Sequence, residues 1–209
     1  MISNAVSGQA QMVPEKLVYE LTTSILATLR PQALTWVKRD ADGKYRWRRA
    51  TPNDTPAVRL LLLDRSDLRL CKGLLCAYSA QDSAQAEQEL LQYFTVRDLA
   101  YMRQQLAGAS QFVYQQEKLN LLWVHVVPLD TINAMRKRLG WQARIYLGNS
   151  IEQRYGNNNH HHISQMVFTK DHQQALVNVG DAYNGYSICI YRKTGVAWKV
   201  EKTVRIVEF

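Results

Sequence analysis

No stretch of this sequence is both long and apolar enough to span a bilayer as a helix. The run Leu60–Leu63 stops at Asp64 and Arg65, far short of the roughly eighteen residues required. Phosphate-cradling loops are missing too, because the ten glycines are scattered and none falls into G-x-G-x-x-G or a P-loop. The G-x-S-x-G turn of a serine hydrolase is absent. Cysteine is scarce and odd in number, so Cys71, Cys76 and Cys189 cannot all pair within one chain. A local Cys71–Cys76 bridge and buried free thiols both stay open, and the redox compartment is not fixed. Nor is there a tail of consecutive Lys or Arg of the kind that binds nucleic acid as a disordered arm.

What is present is a chain of 209 residues, 46% hydrophobic and 10% aromatic, enough to bury a core. We expect a flexible tail over residues 1–13 and a single domain over 14–209. Gly8-Gln9-Ala10 has the small-x-small form that closes a secretory signal, yet the seven residues before it lack an apolar core. The sequence as it stands reads as cytoplasmic, and as exported or cell-envelope if the start lies upstream. The 26 Lys and Arg against 18 Asp and Glu give a net charge of +8, which invites a polyanion or an acidic protein as partner.

Pro14, followed by Leu17, Leu21, Ile25 and Leu29, predicts an amphipathic helix over 14–30 that Pro31 ends. LTWVK and KYRWR flank Asp40-Ala41-Asp42-Gly43 and predict a hairpin over 34–49. Residues 58–63 read as an interior strand, 68–78 as helix then strand, and Asp82 as the cap of a short helix. Thr95-Val96-Arg97-Asp98 is a capping box for a helix with Leu99, Met102 and Leu106 on one face and Gly108 at its stop. A buried strand is expected over 118–127, closed by Pro128. A helix capped by Asp130 then follows over 131–139, with Gly140 as its stop. Residues 141–162 predict an extra helical turn and an exposed Asn/His loop. Residues 163–209 form four apolar runs broken at KDH, DAYNG and KTG, which is an antiparallel meander. The order predicts an α+β fold, with helices packed on a curved antiparallel sheet, loosely cystatin-like, rather than alternating βαβ units.

Over about residues 75–205, LLCAYSAQ, YFTVRDLAYMRQQL, VVPLDTINAMRKRLGW, ISQMVFTKDHQQALVNVG and GVAWKVEK follow one another as in a loose group of uncharacterised bacterial proteins. The sharpest part comprises Ser164, Phe168, Asp171, Ala175, Leu176, Val177, Val179 and Gly180, then Trp198-Lys199-Val200. The chain resembles that group, and the resemblance implies a small α+β domain, often exported or lipid-anchored, with no catalytic residues to carry over. It departs from the group after Gly180, where DAYNGYSICIY replaces a Gly- and Ser-rich stretch.

Two patterns invite a functional reading. His160, His161 and His162, with His172 a turn away, are the residues a metal would use. Adjacent histidines point in different directions and no Cys or acidic ligand follows at metal spacing, so no metal site and no cofactor is expected. His125, in WVHVV, reads as a structural histidine. On the 36–49 hairpin, alternation places Lys44, Arg46 and Arg48 on one face and Tyr45, Trp47 and Arg49 on the other. A basic face beside aromatic rings is what single-stranded nucleic acid uses, and an edge hairpin guarded by charge has the same pattern. Arg136, Lys137, Arg138 and Arg144 form a second basic patch at a helix end. The expected function is a non-enzymatic binding or accessory domain, with nucleic-acid or other polyanion binding through the hairpin and this patch as the alternative. Neither a protein partner nor an oligomeric state is specified.

Overall fold

The computed structural model describes residues 13–29, 34–37, 46–49, 60–67, 87–108, 110–183 and 185–207. Helix α1, Glu15–Leu29, starts where Pro14 offers its carbonyl to the amides of Leu17 and Val18, and it buries Leu17, Val18, Leu21, Ile25 and Leu26. Val13, expected in the tail, is half-buried against the same cluster. Strands β1, Leu34–Val37, and β2, Arg46–Arg49, pair antiparallel as a separate two-stranded sheet. The expected turn at 40–43, the segment 68–78, Cys71, Cys76 and the Asp82 cap lie outside the described residues.

The main sheet is built from β3, Leu60–Leu63, β4, Val124–Val127, β5, His160–Ile163, β6, Val167–Phe168, β7, Gln174–Asp181, β8, Gly185–Thr194, and β9, Ala197–Val207. Its order is β4-β3-β5-β7-β8-β9, with β6 beside β7. The C-terminal strands pair antiparallel, so the fold is α+β with a mostly antiparallel open sheet ending in a meander. Breaks fall at 169–173, 182–183 and 195–196, where KDH, DAYNG and KTG place them.

Helices cover both faces. Leu60, Leu62, Val124, Ile163 and Val177 point to the face that holds α1. The alternate residues of β3 and β4, Leu61, Leu63 and Val127, meet α4, Leu129–Leu139, and α5, Ala143–Tyr155. On the meander, Val167, Leu176, Ile188 and Ile190 meet Leu99, Met102 and Leu106 of α2, Val96–Ala107. The predicted capping box is present: Asp98 N donates to Thr95 Oγ1 at 3.1 Å and Thr95 N donates to Asp98 Oδ2 at 3.2 Å.

Four expectations need correction. Strands β3, β4 and β5 run parallel, with α4 and α5 crossing between β4 and β5. A continuous apolar run such as LLLL, buried on both faces, suits such a core, and the helices between β4 and β5 form the crossover. Residues 118–123 are not strand. One helical turn, α3, Gln116–Leu119, ends on Asn120 at φ 47°, and pairing begins at Val124. Asp130 does not cap α4, because its carboxylate pairs with the Arg65 guanidinium, while the first helical amide, Leu129 N, donates to Asp64 Oδ1 at 2.9 Å. Finally, residues 157–163 are not an exposed loop: Asn157, Asn158, Asn159 and His161 are buried, and β5 lies inside the sheet. A run of polar side chains read as solvent-facing when sheet pairing had claimed its backbone.

The two-residue β6 is completed by a side chain. Gln105 Nε2 donates to the Phe168 carbonyl at 2.7 Å and Gln105 Oε1 accepts from Phe168 N at 3.0 Å, both buried. Gln105→Ala orphans two buried backbone groups and should lower unfolding free energy by about 3 kcal/mol, at roughly 1–3 each. Urea denaturation measures it, and a loss below about 1 kcal/mol would show that the amide does not hold the strand.

Candidate functional site

Strand β5 carries the histidines. Its register sets His160 opposite Leu61 and His161 opposite Leu62 on one side, and His161 opposite Asp181 and His162 opposite Gly180 on the other. Alternation therefore sends His160 and His162 to the α4/α5 face and His161 to the α1 face. His162 lies flat against Gly180, where an added Cβ would come within 2.4 Å of its Nε2 and 2.7 Å of the Gly185 carbonyl. Burial holds all three imidazoles below their ordinary range. For His162 it is opposed by Asp67 and Asp181, for His160 by a hydrogen bond to the Asn158 backbone, and His161 is pulled down to about 4 despite Asp181.

His172 does not join them. It sits at φ 57° in the turn before β7, edge-on to Phe168 at 6.3 Å. The seven residue-to-residue steps from Gln174 to Asp181 along β7 separate it from the triplet by roughly 23 Å at about 3.3 Å per step. Among the described residues no three His, Cys, Asp or Glu side chains converge on a point where a metal would bind. His125 lies 5.4 Å from the Tyr155 ring, and Cys189 is buried with its Sγ 3.7 Å from Thr203 Oγ1, where burial raises the thiol above its usual range.

The basic patch has a different character. Helix α4 ends at Gly140, whose φ of 55° and ψ of −130° suit glycine, and one 3-10 turn, Gly140–Gln142, leads directly into α5. The inner side of this elbow is anchored by Ile132, Met135 and Ile151, with Leu129, Leu147 and Tyr155 half-buried beside them. Its outer side is fully wet. Arg136, Lys137 and Arg138 fill the last turn of α4 and Arg144 opens α5, all exposed. Between and beside them stand Trp141, Ile145 and Tyr146, with 82%, 64% and 47% of their surface exposed. A Cβ placed on Gly140 would meet nothing within 4 Å, so the apex projects into open space.

A groove of about 410 Å³ runs between α4 and α5, lined by Asp130, Thr131, Ala134, Met135, Arg138 and Arg154. Arg65 neutralises Asp130 at its edge, and Arg154 rests over the Tyr155 ring at 5.6 Å. The elbow, residues 129–155, thus holds five cations against two acids. A larger groove of about 610 Å³ beside α1 has both of its acids paired: Lys118 with Glu15 at 2.7 Å and Lys193 with Glu20 at 2.8 Å. By contrast, among the described residues none of Arg136, Lys137, Arg138 and Arg144 is in a salt bridge.

Of the residues nominated from sequence, Arg136, Lys137 and Arg138 are brought together with Arg144. On the hairpin, Trp36 pairs opposite Trp47 and Thr35 opposite Arg48, while Lys44 and Tyr45 lie outside the described residues. Trp141, Ile145, Tyr146 and Arg154 were not nominated. Their signal was in the sequence: α5 carries apolar residues at Leu147, Ile151 and Tyr155, and a second set at Trp141 and Ile145 that the same face cannot bury. No family model, no curated protein and no solved structure matches the chain significantly.

Because each histidine of β5 takes a proton more readily in the unfolded chain than in the fold, stability is intact above about pH 6.5 and falls as pH drops toward the folded value. His161 alone should remove about 2 kcal/mol between pH 7.5 and pH 5. Chemical denaturation at the two pH values checks this. His161→Gln should lose less between them than the wild type, and equal losses would show that His161 does not carry the effect.

Proposed function

We propose that this chain is a non-enzymatic binding domain that docks a polyanionic partner through the α4–α5 elbow. The observation that carries this reading is the group of four exposed cations, free of salt bridges among the described residues, that flank the exposed Trp141, Ile145 and Tyr146 along the α4–α5 connection. Cations already paired with carboxylates lose attraction on exchanging partners, whereas these four do not. The chain-wide charge of +8 adds long-range steering toward an anionic surface, screened over about 10 Å at 0.1 M salt.

Retention on immobilised heparin tests the reading. The wild type should be held at low salt and released as ionic strength rises. Arg136→Glu, Arg138→Glu and Arg144→Glu combined should elute near the void, with only a modest fall in unfolding temperature, since all three side chains are exposed and the loss is confined to charge at the α4 C-terminus. Arg46→Glu with Arg48→Glu reports separately on the hairpin. A wild type that passes through at low salt overturns the proposal.

A further inference from the structure

We infer that the anionic partner of the elbow is a membrane surface, with Trp141, Ile145 and Tyr146 entering the interface of a bilayer rich in anionic phospholipid. This rests on the polyanion reading and goes further by naming the partner. Single-stranded nucleic acid is held by flat rings that stack on bases and cations that follow phosphates. The elbow offers two rings, but the group one helical turn after Trp141 is the branched aliphatic Ile145, which has no stacking face. A Trp, a Tyr and an aliphatic side chain at one tip match the composition of membrane-water interfaces, where rings settle at headgroup depth and aliphatic groups reach the acyl boundary.

The surrounding charges fit as well. Arg136, Lys137, Arg138 and Arg144 flank the turn and are all exposed, and long basic side chains can extend their heads to phosphates while their stems lie along apolar surface. Each cation near an anionic leaflet is worth about fivefold in partitioning. The groove with Arg138 and Arg154 on its walls adds a place for one headgroup phosphate. Shape agrees, because a Cβ placed on Gly140 would meet nothing within 4 Å among the described residues and Gly140, Trp141 and Gln142 are all exposed, so the turn can approach a plane. The elbow is also preorganised: Ile132, Met135 and Ile151 fix it to the sheet, so insertion requires no folding. No helix among the described residues is long and apolar enough to cross a membrane, and the contact is peripheral.

The experiment is co-sedimentation of the full chain with vesicles of phosphatidylcholine alone and of phosphatidylcholine containing about one third phosphatidylglycerol. The wild type should pellet with the anionic vesicles and stay in solution with the neutral ones. Trp141→Ala with Ile145→Ala should cut partitioning into the anionic vesicles roughly tenfold or more. The combined Arg136, Arg138 and Arg144 reversal should abolish both pelleting and heparin retention. Retention on heparin without pelleting overturns the membrane inference alone and turns the polyanion reading toward nucleic acid. Failure on both heparin and vesicles overturns both, and pelleting that survives Trp141→Ala with Ile145→Ala removes the insertion at its centre.

Discussion

The fold depends on one strand facing two kinds of neighbour. β5 pairs parallel to β3 on one edge and antiparallel to β7 on the other, and it is the only bridge in the described sheet between the parallel β3–β4 pair and the C-terminal meander. It does so with three histidines and a buried Asn triplet leading in, rather than with the branched aliphatics that parallel strands usually use. The bulk of His162 is accommodated because Gly180 stands opposite it. The joint therefore rests on two conditions: a glycine at one position of β7, and imidazoles kept neutral.

Each side of that joint has its own helical cover. α2 closes the meander through Leu99, Met102 and Leu106, and the α4–α5 elbow closes the parallel side through Ile132, Met135 and Ile151. Since α4 and α5 are the crossover that returns the chain to β5, the exposed corner between them is a by-product of that topology. A long connection must turn somewhere above the sheet, and here the turn is made by a single glycine with cations on one side of it and aromatic residues on the other. The polar, neutral interior of β5 and the cationic exterior of the elbow lie close enough that Arg136 contributes to disfavouring protonation of His160.

Local chemistry in the sequence located the elements governed by local rules. The Thr95 capping box, the apolar stripe of α1, the stops at Gly108 and Gly140 and the three breaks of the meander are set by side chains within a few residues of each other. Non-local choices escaped it. Nothing in LLLL or VHVV tells whether the neighbouring strand runs up or down, and Asp130 has the right spacing for a cap until Arg65, distant in sequence, claims its carboxylate. The Asn/His run failed as a surface prediction because backbone pairing with β3 and β7 buried it regardless of polarity. For the candidate site, the cations were legible as a cluster in sequence. The exposed aromatics beside them were visible only as a second apolar set around α5, and periodicity alone does not say which of two apolar faces meets the core.

Gln105 has a consequence for how this molecule behaves among copies of itself. β6 is an outer strand, and the groups that such strands leave bare are the ones through which other chains add on. Here the outward N–H and C=O of Phe168 are both occupied by an amide from α2, so that short edge is sealed by its own polypeptide and cannot serve as a template for aggregation. A substitution at Gln105 would thus do more than loosen a helix. It would uncover a strand edge beside one of the most hydrophobic parts of the protein, and the change would show first as a loss of solubility.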